Sequence, residues 1–438
     1  MKHKYFKKAW QSLCQQPIVT TVSIIGTALS IFLIMVVVLM HEVKVLPFAP
    51  ESERDRMMHA ASLVLTDQIN GDESQNTSSG GFCLSLLQEL FDHSKYIETM
   101  TIYQAYSETT LLSNGVDATS MKADMKQTDD KFWRVFNFDF IDGKPYDEAT
   151  FKSAQKMAVI CESAAKQLFG TSKVAGREVQ LNYQPFRIIG VVHDVSNLTE
   201  SAYAQVWTPY TTSQIVQNAW SGFNGPKIGG QLSASMILYK SSDKSKLKAE
   251  TKRRIAVINS RLKSFGTKIV NMGYPYNQFE KSIDEYTNVK PDPAGFYRQQ
   301  FFILLILLLI PTINLTSMTH SRLRRYVGEI GVKRAFGYRR SQIIQDIIIE
   351  NLVLSVAAGL IGLLLCILFA YFGSDIVFAK SWMDDGGRPT VDLSVLINPT
   401  VFLLAFIFCF ILNLMSSIIP AWQASRTNIV NAINGRLR

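Results

Sequence analysis

The chain has 438 residues, 47% of them hydrophobic, and 45 basic against 36 acidic residues give a formal charge of +9. The apolar residues are gathered into four long runs, which excludes a purely soluble protein, and four runs are too few for a many-helix channel or carrier. Aromatic residues at 11% and the lack of low-complexity tracts exclude a disordered chain.

Residues 1–17 form a tail bearing Lys2, Lys4, Lys7 and Lys8. The 23 residues 18–40 carry no charge, enough to cross ~30 Å of hydrocarbon as a helix. A signal peptide has a shorter apolar core of ~7–15 residues and a small-residue cleavage site. Neither is seen, so the expectation is an uncleaved first span. Residues 41–298 then read as a large α+β domain. It opens with a short stalk, 41–58, in which Pro47 and Pro50 interrupt any continuous helix.

Within that domain Ala61–Thr66 reads as a strand, and the Ser-, Gly- and Asn-rich stretch Asn70–Gly81 as a loop. Phe82, Leu86, Leu87, Leu90 and Phe91 recur at helical spacing, and strand-like runs follow at 97–112. Residues 129–147 suggest a short helix and an aromatic-rich turn. An inserted subdomain is expected at about 108–210, with a strand at 156–161 and a helix at 163–169 ended by Gly170. Paired strands follow at 174–181 and 186–192, with another at 203–209. A strand at 232–240, a strongly basic amphipathic helix at 243–263 and a strand near 266–273 complete the domain.

The remaining runs give spans at 299–320, where Pro311 predicts a bend, at 347–373, and at 400–420, closed by Pro420. Between them lie a loop, 321–346, and a short connection, 374–399; residues 421–438 form the second tail. The expected fold class is thus a membrane protein with four transmembrane helices and a large α+β extracytoplasmic domain between helices one and two. Residues 41–298 balance at 29 basic and 29 acidic, so the positive excess sits in the two tails and the 321–346 loop. The positive-inside rule puts both termini and that loop in the cytoplasm and 41–298 outside. The basic excess therefore reports topology and gives no argument for nucleic acid.

Cys83 and Cys161 are the cysteines of the outer stretch; no spacing supports a disulfide, and two buried free thiols are expected. No P-loop, dinucleotide fingerprint, nucleophile elbow or metal-ligand spacing occurs, so no catalytic, cofactor or metal residue is expected. His193 and Asp194 are adjacent at a strand end, where neighbouring side chains point to opposite faces. A polar turn is the expectation there.

The loop SRLRRYVGEIGVKRAFGYRRSQIIQDIIIEN, 321–351, places apolar Ile330, Ala335 and Phe336 among charges. A short amphipathic helix ending at Gly337 fits, followed by Ser341 capping a helix that enters the membrane. Such a helix suits either an anionic lipid surface or a docked cytoplasmic partner.

Arg324 or Arg325, Glu329, Ile330, Gly331, Lys333, Arg334, Ala335, Gly337 and Glu350 form a pattern that resembles the MacB-type (FtsX-like) ABC transporter permeases, the type VII ABC superfamily. The tail with Pro420, Ala421, Ala424 and Ala432 is similar to that family's ending, although Asn428 or Ile429 stands where the family often has proline. The order LFG, then a strand at 176–179, then FRIIGVVHD, also matches, and the resemblance covers essentially the whole chain.

The resemblance implies a non-catalytic permease subunit in the bacterial inner membrane, with a periplasmic core domain. It implies a separate ABC ATPase that binds ATP and Mg, and a homodimer or a heterodimer with a paralogous permease. Glu329, Ile330, Gly331, Lys333, Arg334, Ala335 and Gly337 would form the coupling helix seated on the ATPase. Work would cross the membrane by mechanotransmission, consistent with spans that lack internal charge. Efflux of small toxins, antibiotics or peptides is the expected task, with a periplasmic adaptor and an outer-membrane duct. Lipoprotein extraction, cell-wall-hydrolase control, and an ATPase-independent sensor or scaffold are the alternatives. The outer domain is larger than hydrolase-controlling members usually carry.

Overall fold

The structure, a computed structural model, describes residues 17–69, 72–115, 119–222, 225–284, 288–307, 332, 335–372, 402–403, 406–407 and 410–411. These form two compact units: an outer unit, Val43–Pro293, and a unit comprising residues 17–42 and the described residues from 294 onward. Helix α1 (Pro17–Val45) is apolar almost throughout. Pro47 has no N–H with which to extend the helical ladder, and α1 stops two residues before it.

The outer unit is α+β, as expected. Its strands are β1 (Met57–Ala60), β2 (Leu63–Ile69), β3 (Asp72–Phe82), β4 (Ile97–Gln104), β5 (Glu108–Ser113), β6 (Ser120–Thr128), β7 (Phe140–Gly143) and β8 (Met157–Cys161). They continue with β9 (Glu178–Leu181), β10 (Gln184–Val192), β11 (Val206–Pro209), β12 (Gly229–Gly230), β13 (Leu232–Leu238), β14 (Thr267–Ile269) and β15 (Tyr276–Asn277). The helices are α2 (Leu84–Phe91), α3 (Phe132–Val135), α4 (Glu148–Lys152), α5 (Glu162–Phe169), α6 (Lys244–Leu262) and α7 (Gln278–Ser282). The main path of the sheet runs β11-β8-β10-β9-β5-β6-β4-β13-β3-β2-β14. Parallel pairing joins β10 to β8 and β11 to β6; the other pairings are antiparallel.

Two apolar clusters form the core of this unit. One gathers Leu112, Phe132, Ile160, Val191 and Trp207 beneath the stretch from β5 to β11. Trp133 touches Phe138, Phe140, Tyr146 and Trp207 edge-on, which gives the aromatic-rich turn its packing role. The other cluster packs α2 and α6 against β2, β4 and β13 through Leu86, Leu87, Leu90, Ile255 and Ile258. Cys161 lies in the first cluster and Cys83 in the second, both as buried free thiols.

The reading of Asn70–Gly81 as a loop is corrected. Residues from Asp72 to Phe82 form β3, paired with β2 from Ile69↔Asp72 to Leu63↔Gly80. The hairpin takes its apolar face from Leu63 and Leu65 of β2. Asn76, Thr77 and Ser79 of β3 are exposed, so this strand carries no apolar alternation.

In the second unit, residues 293–307 are helical (α8), and α9 (Arg340–Phe372) is the other long helix. Among the described residues, two helices are long and apolar enough to cross a membrane: Thr20–Val45 and Ser341–Phe369. Most of the second and fourth expected spans lies outside the described residues. Ile31, Ile34, Met35 and Leu39 of α1 cluster with Cys366 of α9. A Cβ on Gly362 would lie 3.0 Å from the Ala28 carbonyl oxygen and 3.1 Å from Ile31 Cγ2. Gly359 similarly admits the ring of Phe406. Both glycines thus seat helices within one protomer.

The expected cap at Ser341 is also corrected. The helix includes Arg340, and the Gln342 side chain accepts from the Arg339 N–H at 2.8 Å. That is the reach-back half of a capping box, placed two residues earlier than a cap at Ser341 would put it.

Candidate functional site

Of the expected coupling residues, Glu329, Ile330, Gly331, Lys333 and Arg334 lie outside the described residues. Ala335 and Gly337 lie within them, and both are exposed. The Phe336 N–H bonds the Val332 carbonyl at 3.1 Å, one helical turn back. Gly337 then adopts φ +86°, a left-handed conformation that side-chain-bearing residues rarely take. Phe336 is 88% exposed, an unusual degree for a phenylalanine. Tyr338 Oη reaches Asp346 Oδ2 at 3.1 Å, tying this turn to the first turns of α9.

A second arrangement surrounds the C-terminal end of α1. The last carbonyls of a helix have no helical partner and need donors from elsewhere. Arg54, fully buried, supplies them: Nη1 donates to the carbonyls of Val43 at 3.0 Å and Leu46 at 2.8 Å. The same guanidinium meets Glu51 Oε2 through Nε and Nη2, each at 2.7 Å, and both side chains are sealed from solvent. Its Cζ lies 4.3 Å from the Phe48 ring centroid. A positive charge at this helix end is favoured by the macrodipole. Removing one partner of such a buried pair costs about 3–5 kcal/mol, because the other charge is left uncompensated.

Gln278 at the start of α7 is the second donor; its Nε2 bonds the Lys44 carbonyl at 2.9 Å. Its Oε1 therefore faces His59 Nε2, 3.0 Å away, which must carry the ring proton. His59 Nδ1 then accepts from the Ser235 hydroxyl at 2.8 Å, and Ser235 Oγ lies 2.7 Å from the Tyr103 hydroxyl. Burial holds the His59 pKa well below the usual histidine value, and the nearby charges of Lys281 and Arg54 add to this. The ring is neutral, as the relay requires. Lys126 is also buried beside Tyr103, and its ammonium donates to the carbonyls of Glu200 at 2.6 Å and Ser201 at 3.1 Å.

Sequence reasoning did not find this assembly. Pro47 and Pro50 marked the helix end, and Glu51 and Arg54 stand at an i,i+3 spacing. However, Ser235 and Gln278 lie 176 and 219 residues from His59, and no local pattern announces them. His193 and Asp194 serve separate partners. His193 Nδ1 is 3.3 Å from Glu162, while Asp194 accepts from the Ser163 N–H and hydroxyl at the head of α5.

A helix long and apolar enough to cross a membrane thus has its last turn tied by buried polar groups into a large α+β unit. Residues 20–253 match the MacB-like periplasmic core domain, and residues 301–429 match the FtsX-like permease C-terminal domain. The chain belongs to this MacB/FtsX family of ABC transporter permeases.

It is 22% identical over 304 residues to the ABC transporter permease YknZ of Bacillus subtilis (strain 168), covering 69% of this chain and 68% of that protein. It is 20% identical over 309 residues to the macrolide export ATP-binding/permease protein MacB of Escherichia coli (strain K12), covering 69% and 42%. The chain thus spans less than half the length of that relative. The crystal structure of the periplasmic region of MacB from Actinobacillus actinomycetemcomitans aligns with 52% of this chain and 94% of its own, at 19% identity and a TM-score of 0.32. Permeases of this class work with an ABC ATPase.

Proposed function

We propose that this chain couples ATP hydrolysis by an ABC ATPase to movement of its outer unit. The observation that carries the reading is the end of α1. Val43, Leu46 and Lys44 present carbonyls that are held by Arg54 and Gln278, and those residues are fixed to the core of the outer unit. An axial displacement of α1 would load these bonds together, because Arg54 and Gln278 are themselves anchored by Glu51 and His59.

At the cytoplasmic end, residues 329–337 would seat on the ATPase, with Phe336 as an apolar knob and the surrounding charges setting register. Four spans, with both termini and residues 321–346 in the cytoplasm, complete this reading. Two copies, or one copy with a paralogous permease, would flank an ATPase pair that binds ATP and Mg. Efflux of small toxins, antibiotics or peptides from the periplasm is the task we assign, through an adaptor and an outer-membrane duct.

The test is purification of the full chain from its native membrane, with Glu329→Lys as the variant. An ABC ATPase should co-purify with the wild type and fall at least about tenfold in the variant, at unchanged membrane yield. An adaptor in the wild-type eluate supports efflux. Equal ATPase recovery from both proteins would remove residues 329–337 from the interface.

A further inference from the structure

Helix α6 is the most basic element of the outer unit, with seven Lys and Arg residues against the single acid Glu250. Several of these charges have local partners. Lys246 pairs with Asp243, Arg254 with Glu250, and Arg261 with Glu89. Others are held for a different end. Lys248 and Lys252 face a groove of about 420 Å³, which is also lined by Gly273, Tyr276, Glu280 and Lys290.

The charge state of this groove follows from its bonds. Glu280 takes Lys248 on both oxygens at 2.5 Å and accepts the Asn277 N–H at 2.9 Å as part of a capping box. That pair is internally neutral. Lys252 and Lys290 are exposed and make no ion pair among the described residues. Two uncompensated ammonium groups therefore share the lining of one concave site, against a wall closed by the buried Tyr274 and Tyr276. A Cβ on Gly273, at φ +95°, would lie 3.3 Å from Lys290 Cε, so the glycine leaves room for that side chain.

The position of the groove in the chain narrows its ligand. Lys290 is three residues from the end of the outer unit and stands just before the helical residues 293–307. On the other wall, Glu280 is two residues from Gln278, which bonds the Lys44 carbonyl in the last turn of α1. The groove is thus lined by residues close in the chain, or bonded, to the positions where α1 enters and α8 leaves the outer unit. We propose that it binds the phosphate-bearing headgroup of an anionic phospholipid, with Lys252 and Lys290 as the two cationic contacts. The inference needs the chain to be a membrane permease and is independent of ATPase coupling.

Hydrogen exchange on the full chain in lipid nanodiscs tests this directly. Nanodiscs of phosphatidylcholine alone are compared with nanodiscs containing phosphatidylglycerol. In the phosphatidylglycerol discs, amides of 246–254 and 271–284 should exchange about tenfold more slowly, the order expected when two lysines engage an anionic surface. The Lys252→Ala/Lys290→Ala variant should lose that protection, and Lys252→Arg/Lys290→Arg should keep it. Unchanged exchange in β4 and β13 shows that the variants are folded.

Three results would each overturn the proposal. These are equal exchange in both kinds of disc, equal protection in the alanine variant, and the same protection when inorganic phosphate is added to phosphatidylcholine discs. The last would assign the groove to a soluble phosphate ligand instead of a lipid.

Discussion

Two buried titratable side chains give the outer unit opposing pH dependences. Asp129 accepts from the Thr101 hydroxyl at 2.6 Å and the Ile102 N–H at 2.8 Å. Burial nevertheless pushes its pKa up to about 7, against those two bonds. Between about pH 4 and 7 the folded carboxyl keeps a proton that the unfolded chain has released, so stability falls as pH rises through that window. His59 acts the other way. Burial keeps it neutral in the fold, while the unfolded chain takes up a proton below the ordinary pKa of about 6.5. Stability is therefore lost as pH falls below that value. Across the shared window the two slopes oppose one another. Asp129→Asn should remove the falling slope and leave stability that rises with pH up to about 6.5, a gain of a few kcal/mol over wild type at pH 8. Tryptophan fluorescence during urea unfolding of the full chain reads this through buried Trp207. Parallel pH profiles for the variant and wild type would exclude Asp129 as the source. His59 and Asp129 show what sequence withholds. Their environments are made by residues far away in the chain, so a lone histidine and an ordinary Asp-Asp pair look alike before folding.

Elements were legible where one face of one segment carries the signal. The apolar spacing of Leu86, Leu87, Leu90 and Phe91 gave α2, although Phe82, read with them, ends β3; the basic helix at 243–263 is α6. β3 was hidden because its core contribution is made by its neighbour, and short strands such as β1 and β15 have too few residues to show alternation. In the second unit the small residues of the spans were visible, but their partner was not. Gly26, Ser30, Ser355, Gly359 and Gly362 fit packing within a protomer as well as between two. The coordinates of Gly362 against Ala28 and Ile31 give its neighbour as α1. A side chain there meets backbone oxygen, which cannot rotate away. Gly362→Val should therefore destabilise the chain by about 1–3 kcal/mol, as overpacked core sites do. A thermal melt of the detergent-purified protein checks this. Gly337→Ala, where a Cβ meets nothing within 4 Å, is the comparison, since it carries only the backbone penalty of a positive φ. Equal melting of Gly362→Val and wild type would mean that the α1–α9 contact is looser than described.

At the scale of the whole molecule, apolar runs and charge asymmetry were sufficient to read a membrane protein with a large domain after its first apolar run, because they are global properties that survive without tertiary detail, while the permease reading needed the family resemblance. The device that would carry motion between the two units was not readable in that way. It depends on Arg54 and Gln278 reaching the carbonyls of Val43, Lys44 and Leu46. If force passes along α1 into the outer unit, slack beside those bonds should disconnect the two without disturbing either. Insertion of Gly-Ser-Gly between Glu42 and Val43, ahead of the bonded carbonyls, provides that slack. Spin labels on exposed Tyr183 in each protomer of the proposed ATPase-bound dimer report outer-unit movement as a change in label separation on adding ATP. The wild type should show that change and the insertion variant should lose it, while ATPase recovery and turnover stay within about twofold. The same three residues placed between Asn114 and Gly115, next to a surface turn far in sequence from α1, should leave the movement intact. Retained movement in the Glu42–Val43 variant would mean that α1 is not the transmitting element. α8, which leaves the other end of the outer unit, would then be the element to loosen next.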